Sequence, residues 1–173
     1  HAFYNIGCRY LQLDDTVWAY LCSEEQRRLC RERGDDPDQL VHYYAKTINF
    51  AVSEKPADMT ISMHICRGNF RSTWFSEGGY DYVAETLFGV VKIDAYFLEF
   101  DSERAGTFEP LRFIKKGGNQ FAVLGLVTTK SGTIEHPADI KKRIEEASKF
   151  LPKEQLCLST QCGFASTEEG NIL

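Results

Sequence analysis

A histidine and a cysteine two positions apart, His64 and Cys66, are the most chemically suggestive pair in this sequence. They lie in the apolar run TISMHIC (60–66), which has the length and composition of a buried strand. Side chains at positions i and i+2 of a strand point to the same face, so the imidazole and the thiol can reach one metal ion. For the pair alone, a core histidine packed beside a buried thiol is the favoured interpretation.

Two further donors stand at the ends of later apolar runs. Glu99 lies near the end of AYFLEFD (95–101), and Cys162 follows the run at 155–161. With His64 and Cys66 they would supply one nitrogen, two sulfur and one oxygen donor, a set that suits tetrahedral zinc. Four protein ligands ordinarily indicate a structural zinc site, because catalytic zinc keeps one position open.

The elements that must position these residues alternate along the chain. Strands are predicted at 9–15, 60–66, 95–101, 120–129 and 155–161, and helices at 37–55, 80–91 and 137–151. A short helix is predicted at 108–116, and the charged segment 23–36 is predicted to be an exposed excursion between a strand and its helix. This alternation predicts an α/β fold of parallel βα units whose strands are covered on both faces.

Polar and reactive residues recur where the predicted strands end. These residues are Asp14 and Asp15, His64 and Cys66, Glu99 and Asp101, Thr128 and Thr129, and Gln161 and Cys162. Functional sites of parallel α/β proteins lie at the carboxyl ends of the strands. The sequence therefore predicts that these side chains meet in one site.

The chain length limits the architecture. A (β/α)8 TIM barrel needs roughly 250 residues, whereas this chain has 173 and about five predicted strands. It also ends soon after the fifth strand, where a covering helix is due, and it does not begin with methionine. We therefore expect residues 1–173 to form a single domain that is the C-terminal part of a TIM barrel. The remainder of the same polypeptide, or a second copy, is expected to complete it.

Composition excludes several classes of partner. The net charge is -5 with scattered basic residues, so no nucleic-acid-binding surface is predicted. No apolar run approaches the roughly 18–20 residues of a membrane span, and no signal peptide is visible. Six cysteines in a chain of this size favour free thiols or metal ligands over a disulfide framework, so a cytoplasmic location is expected.

Four ordered motifs resemble those of the cobalamin-independent methionine synthase family: LQLDD (11–15), MHICRGN (63–69), YFLEFD (96–101) and STQCGF (159–164). QCGFAST (161–167) and EGN (169–171) are similar to the shorter methionine-synthase-like relatives of that family. The resemblance implies that His64, Cys66, Glu99 and Cys162 are zinc ligands. It also implies that Asp14, with Asp15 beside it, binds a homocysteine-like substrate through its amino group.

The implied activity is the transfer of a methyl group, from a methylated folate, to a thiol such as homocysteine, forming methionine. Zinc would convert the substrate thiol into a thiolate, and Glu99, the harder donor, would yield its place to that thiolate. Full-length synthases carry a proton-transferring histidine after the strand at 120–129, where this chain has Thr128, Thr129 and Lys130. His136 lies beyond that strand end, so no proton donor is assigned.

Three alternatives remain open from the sequence. The same zinc–thiol chemistry could serve another acceptor such as coenzyme M. The four donors could instead form a closed structural zinc site in a non-catalytic domain. A metal-free decarboxylase with a similar barrel is the third, but it would not need His64, Cys66 and Cys162 together.

Overall fold

The structure, a computed structural model, describes residues 1–165. Its centre is a sheet of five parallel strands: β1 (Tyr10–Asp15), β2 (Thr60–Ile65), β3 (Ala95–Glu99), β4 (Phe121–Val127) and β5 (Leu156–Thr160). The strands follow one another in the sheet in the order β1-β2-β3-β4-β5. A sequential order without reversal is the arrangement of a TIM barrel, whereas a doubly wound sheet reverses direction. The α/β fold of about five parallel strands is thus confirmed.

Six α-helices accompany the sheet within residues 1–165: α1 (Ala2–Asn5), α2 (Val17–Cys22), α3 (Glu24–Glu32), α4 (Pro37–Ala51), α5 (Asp81–Gly89) and α6 (Pro137–Ala147). The three long predicted helices are all present and end up to four residues earlier than expected. Asp36 caps α4 by accepting a hydrogen bond from the Asp38 amide. Pro37 occupies the first turn of α4, where the N–H that proline lacks would have no partner within the helix.

Two predicted segments differ from the structure. The charged segment 23–36 is largely exposed or half-buried, as expected, but it contains α3 instead of irregular chain. Ser23 caps this helix, and Arg28 pairs with Glu25 and Glu32 along its exposed face, which stabilises a helix that carries few apolar residues. The short helix predicted at 108–116 is a 3-10 helix at Glu109–Phe113.

The two faces of the sheet have different chemistry. On β2, Ile61, Met63 and Ile65 belong to the buried apolar core, whereas Ser62 and His64 lie on the opposite, polar face. The prediction that strands are covered on both faces holds for β2 and β3 but not for the edge strands. Tyr10 on β1 and Leu158 on β5 are both 51% exposed, because in residues 1–165 each of these strands has a neighbour on one side only.

A glycine in β4 brings the end of the sheet together. A side-chain Cβ on Gly125 would lie 2.7 Å from Gln161 Cα and 2.8 Å from the Leu98 carbonyl oxygen. The β4–β5 pairing also shifts register between Gly125 and Val127. Glycine therefore allows the chain just before Cys162 to approach β4 closely.

Within residues 1–165, no helix has both the length and the apolar character needed to cross a membrane.

Candidate metal centre

The structure brings His64, Cys66, Glu99 and Cys162 together at the carboxyl edge of the sheet. His64 lies on β2, Cys66 directly follows β2, Glu99 ends β3, and Cys162 is two residues beyond β5. Their ligand atoms all lie within 4.8 Å of one another. The Sγ atoms of Cys66 and Cys162 are 3.9 Å apart, and His64 Nε2 is 3.6 Å from Glu99 Oε1.

These separations fit a tetrahedral metal ion. Two thiolates bound to zinc at about 2.3 Å are separated by roughly 3.8 Å when the angle is tetrahedral, close to the observed 3.9 Å. His64 Nε2 is buried and has no hydrogen-bond partner in the described part of the chain. A buried nitrogen without a partner is costly unless something else binds it. The donor set and its spacing therefore fit zinc.

Asp14 orients the histidine. Asp14 and His64 are paired across β1 and β2, and Asp14 Oδ1 lies 2.9 Å from His64 Nδ1. When Nδ1–H donates to this carboxylate, Nε2 carries the lone pair and faces the other donors. The sequence assigned Asp14 to substrate only. Its partnership with His64 depends on strand register, which the sequence does not reveal.

Asp15 lies on the opposite face of β1 from Asp14 and does not join the cluster. Its Oδ1 accepts hydrogen bonds from the backbone N–H groups of Val17 (2.7 Å) and Trp18 (3.2 Å) at the start of α2. Burial raises the pKa of Asp15, and these two hydrogen bonds offset part of that increase. In the structure Asp15 therefore fixes the beginning of α2.

Glu99 is completely buried and is held from several directions. Its Oε1 accepts a hydrogen bond from the Arg67 backbone N–H (2.8 Å), and its Oε2 accepts one from Arg104 Nη2 (3.2 Å). Burial by itself would raise the pKa of Glu99, but His64, the Arg67 amide and Arg104 outweigh it and lower that pKa. Glu99 is therefore an ionised carboxylate at neutral pH.

Arg104 extends this arrangement outward. Besides Glu99, it donates to Asp101 Oδ1 at 2.7 Å, and its guanidinium lies 5.0 Å from the ring centre of Trp74. The motif YFLEFD (96–101) predicted Glu99 as a zinc ligand, but it gave no indication that an arginine five residues after Glu99 would pair with both Glu99 and Asp101.

A hydrogen bond within the cluster favours one deprotonated sulfur. Either thiol can be the donor in the contact between Cys66 Sγ and Cys162 Sγ; with Cys66 as the donor, it lowers the pKa of Cys162 to about 7 and raises the pKa of Cys66. The Gly68 backbone N–H also points to Cys66 Sγ at 3.4 Å. For His64, burial opposes protonation, but Glu99, Cys66 and Asp14 outweigh it and raise the pKa. The cluster thus carries negative charge that a cation would neutralise.

A cleft of about 230 Å³ opens beside the cluster. It is lined by Gln12, His64, Phe97, Ser159, Cys162 and Gly163, among others. A cleft with a few convergent polar groups is the usual form of a small-molecule site. Two of its lining residues, His64 and Cys162, are candidate metal ligands, so a small molecule in this cleft would lie beside the candidate metal centre.

The segment after β4 contains no histidine directed at the cluster. Thr128 Oγ1 donates to Asp101 Oδ2, and Thr129 Oγ1 donates to Gln161 Oε1, both at 2.8 Å. His136 Nδ1 accepts a hydrogen bond from the Ala138 amide and caps α6. His136 therefore acts in helix capping in the described structure.

A parallel βα sheet with nitrogen, oxygen and sulfur donors at its carboxyl edge defines a barrel-type domain with a candidate metal centre. Residues 4–172 match the family described as "Cobalamin-independent synthase, Catalytic domain". The chain belongs to this family. The methionine synthase resemblance carried by the four sequence motifs is thereby confirmed.

Relatives and solved structures agree with this assignment. The chain is 57% identical over 172 residues to each of two uncharacterized Bacillus subtilis (strain 168) proteins, YxjH and YxjG, covering 99% of this chain and 45% of each relative. A Listeria monocytogenes structure, provisionally described as a vitamin-B12-independent methionine synthase, matches with a TM-score of 0.76 and 51% identity. That match covers 98% of this chain and 46% of the other.

A B12-independent methionine synthase from Shewanella sp. W3-18-1, solved with selenomethionine, shares the fold with a TM-score of 0.67 and 20% identity. It is matched over 92% of this chain and 43% of its own. The chain thus spans less than half the length of these relatives.

Proposed function

We propose that this chain is part of a zinc-dependent methyltransferase that transfers a methyl group from a methylated folate to a thiol such as homocysteine, forming methionine. His64, Cys66, Glu99 and Cys162 would hold the zinc ion. The observation that carries the proposal is the convergence of these four donors within 4.8 Å at the carboxyl edge of the sheet. Membership of the cobalamin-independent synthase family supports the reaction class.

When bound, zinc would lower the pKa of a substrate thiol so that it reacts as a thiolate. Glu99 is the ligand best suited to give way to that thiolate, because a carboxylate is a harder donor than the two cysteine sulfurs. The Arg67 amide and Arg104 already bind its two oxygens. A displaced Glu99 therefore keeps partners for its charge, which lowers the cost of leaving the metal.

Asp14 is proposed to serve two groups at once. One oxygen orients His64, and the other is available to the amino group of a homocysteine-like substrate because the Asp14 side chain is 70% exposed. The sequence proposed Asp15 for the same substrate. Since its carboxylate caps α2, we propose that Asp15 contributes by holding the β1–α2 junction in place.

We further propose that residues 1–173 form a single domain that is the C-terminal part of a larger TIM barrel. Five strands are present where a closed barrel has eight, and the relatives are about twice as long as this chain. The rest of that polypeptide, or a second copy, would supply the missing strands and contacts to the methyl donor. A cytoplasmic enzyme is proposed because all six cysteines are free thiols.

The test uses the whole polypeptide that contains this chain. Metal analysis should find one zinc per chain, and the cobalt-substituted form should show sulfur-to-cobalt absorption that changes when homocysteine is added. A closed structural site would show no change with added thiol, and that result would contradict the proposal. Replacing Cys66 by Ser should abolish metal binding, because a hydroxyl is a harder donor than a thiolate. Replacing the exposed Cys157 by Ser is the matched control.

A further inference from the structure

A lysine after β4 holds the loop that follows Cys66, the candidate metal ligand directly after β2. The Nζ atom of Lys130 donates to the Gly68 carbonyl oxygen (2.8 Å), to Asn69 Oδ1 (2.6 Å) and to the Thr73 carbonyl oxygen (2.9 Å). An ammonium group has three N–H donors. All three are used by the loop at 68–73, which begins two residues after Cys66.

Asn69 carries this connection to the second cysteine. Its Nδ2 donates to the Gly163 carbonyl oxygen at 2.5 Å, and Gly163 directly follows Cys162. Lys130 and Asn69 therefore form a bridge between the backbone just after Cys66 and the backbone just after Cys162. We call these two residues the loop bridge.

The end of β4 also holds the other side of Cys162. The backbone N–H and the hydroxyl of Thr129 both donate to Gln161 Oε1, at 3.2 and 2.8 Å. Gln161 is buried and directly precedes Cys162. Thr129 thus contacts Gln161, the residue before Cys162, and Lys130 reaches Gly163, the residue after Cys162, through Asn69. Lys130 also contacts the loop that follows Cys66.

The loop at 68–73 needs such support because its backbone is strained. Arg71 and Ser72 both have positive φ (51° and 58°), which is uncommon for residues with a side chain. Such conformations persist when surrounding contacts fix them. At its base, the amides of Phe75 and Ser76 both donate to the Arg67 carbonyl oxygen. Lys130 contacts Gly68, Asn69 and Thr73, at the two ends of the loop on either side of the strained residues.

The charge of Lys130 suits its position. Zinc with two thiolates and one carboxylate has a net charge of about -1, and an added substrate thiolate makes it more negative. Burial lowers the pKa of Lys130, while the charges of Glu99, Cys162 and Cys66 act in the opposite direction and favour its ammonium form. The positive charge of Lys130 would therefore partly offset the negative charge that the zinc centre gains when it binds a substrate thiolate.

We propose that Lys130 is a positioning residue of the metal centre, which acts through Asn69 to set the separation of the Cys66 and Cys162 sulfurs. The inference rests on the proposed zinc site. Since its three N–H groups are already donated to the loop, Lys130 positions ligands and does not act as a proton donor. Its loss should weaken metal binding and change ligand geometry.

The test measures cobalt affinity, by competition with a chelator, and the cobalt absorption spectrum in the whole polypeptide. Lys130→Met should weaken cobalt binding about tenfold, as loss of residues behind metal ligands typically does, and should shift the absorption bands. Asn69→Ala should act similarly. The double variant should be little worse than either single variant, because both break one bridge. Lys141→Met, at an exposed position of α6 outside the loop bridge, is the matched control.

Unchanged affinity and spectrum in Lys130→Met would overturn the inference, as would single-variant losses that multiply in the double variant. If Lys130→Met fails to fold, Asn69→Asp decides: it keeps the acceptor for Lys130 but removes the donor to Gly163, so it should still weaken binding. Parent-like binding in Asn69→Asp would overturn the bridge. A parent protein that binds no cobalt or zinc would instead defeat the proposed function itself.

Discussion

Asp14 Oδ1 lies 2.9 Å from His64 Nδ1 although the two residues are 50 positions apart in the chain. Parallel pairing of β1 with β2 places them side by side on the polar face of the sheet. A carboxylate behind a metal-binding imidazole fixes its ring orientation and makes the other nitrogen a better ligand. The strand register of this family member therefore positions a carboxylate behind His64, as the proposed role of His64 as a metal ligand requires.

Replacing Asp14 by Asn should therefore weaken zinc binding by about tenfold, since the amide is a weaker acceptor for the Nδ1–H of His64. Chelator competition on the whole polypeptide measures the effect. Asp15→Asn is the matched control, because Asp15 faces away from the cluster and asparagine also caps helices well. Equal losses in the two variants would show that Asp14 has no specific role at His64.

The thiol pair predicts a pH dependence in the metal-free protein. Hydrogen bonding from Cys66 lowers the pKa of Cys162 to about 7, so Cys162 should become reactive as the pH rises through 7. Cys66→Ala removes the donor, and the pKa of Cys162 should rise toward the ordinary value of about 8.5. Alkylation of Cys162 at pH 7 should then slow roughly threefold to fivefold, because higher nucleophilicity offsets part of the lost thiolate.

Peptide mass spectrometry can follow the alkylation of Cys162 separately from that of other cysteines. Cys157→Ala serves as the control, since Cys157 is exposed and is not part of the pair. The Cys162 profile should be the same in this control as in the parent. An unshifted midpoint in Cys66→Ala would mean that Cys66 does not stabilise the Cys162 thiolate.

Gly125→Ala should disturb the chain segment that carries Cys162. The added methyl group would meet backbone atoms of Gln161 and Leu98 at 2.7 and 2.8 Å, so the backbone must shift. We expect a loss of about 1–3 kcal/mol in the free energy of unfolding, together with weaker metal binding. Chemical denaturation and metal competition measure the two effects.

Gly89→Ala provides the comparison for this prediction. Gly89 is the last residue of α5, and a Cβ there would have open space around it. The free energy of unfolding of the Gly89→Ala variant should be unchanged or slightly higher, because alanine has a higher helix propensity than glycine. If Gly125→Ala were equally well tolerated, close approach of β4 to Gln161 would not be needed for the site.

The 173-residue chain expressed by itself should self-associate. Its edge strands β1 and β5 each lack one neighbour in the described structure, and Tyr10 and Leu158 are both about half exposed on them. Such edges pair with other chains. Sedimentation should detect dimers or larger species, and Leu158→Lys should reduce them. A stable monomer that binds no hydrophobic dye would contradict the proposal that further strands complete the sheet.

Sequence patterns predicted much of this fold because apolar periodicity determines which segments are strands. The five predicted strands are all present within two residues at each end. The donor atoms of His64 and Cys66 also come together, as their spacing in the run 60–66 predicted. Helix α3 was missed because its stability comes from a cap at Ser23 and ion pairs of Arg28, not from an apolar face. Local charge pairs are weak indicators in a single sequence.

The candidate site was predictable only in part. Reactive residues at strand ends indicated the right edge of the sheet, and the family motifs selected four of them. The contacts of Arg104 with Glu99 and of Lys130 with Gly68 could not be predicted, because they depend on the conformations of the loops after β3, β4 and β2, which no periodic pattern encodes. The sequence motif EGN (169–171) lies outside the described residues, so its contribution is a prediction still to be tested.

The spacing of the four donors along the chain has a consequence for folding. Cys66 and Cys162 are separated by 96 positions, and β3, β4, α6 and β5 all lie between them. A zinc ion shared by the two sulfurs would therefore be a reversible cross-link that closes more than half of this chain into one loop. Binding free energy at such a site becomes folding free energy, so chelation should lower the melting temperature as well as remove activity.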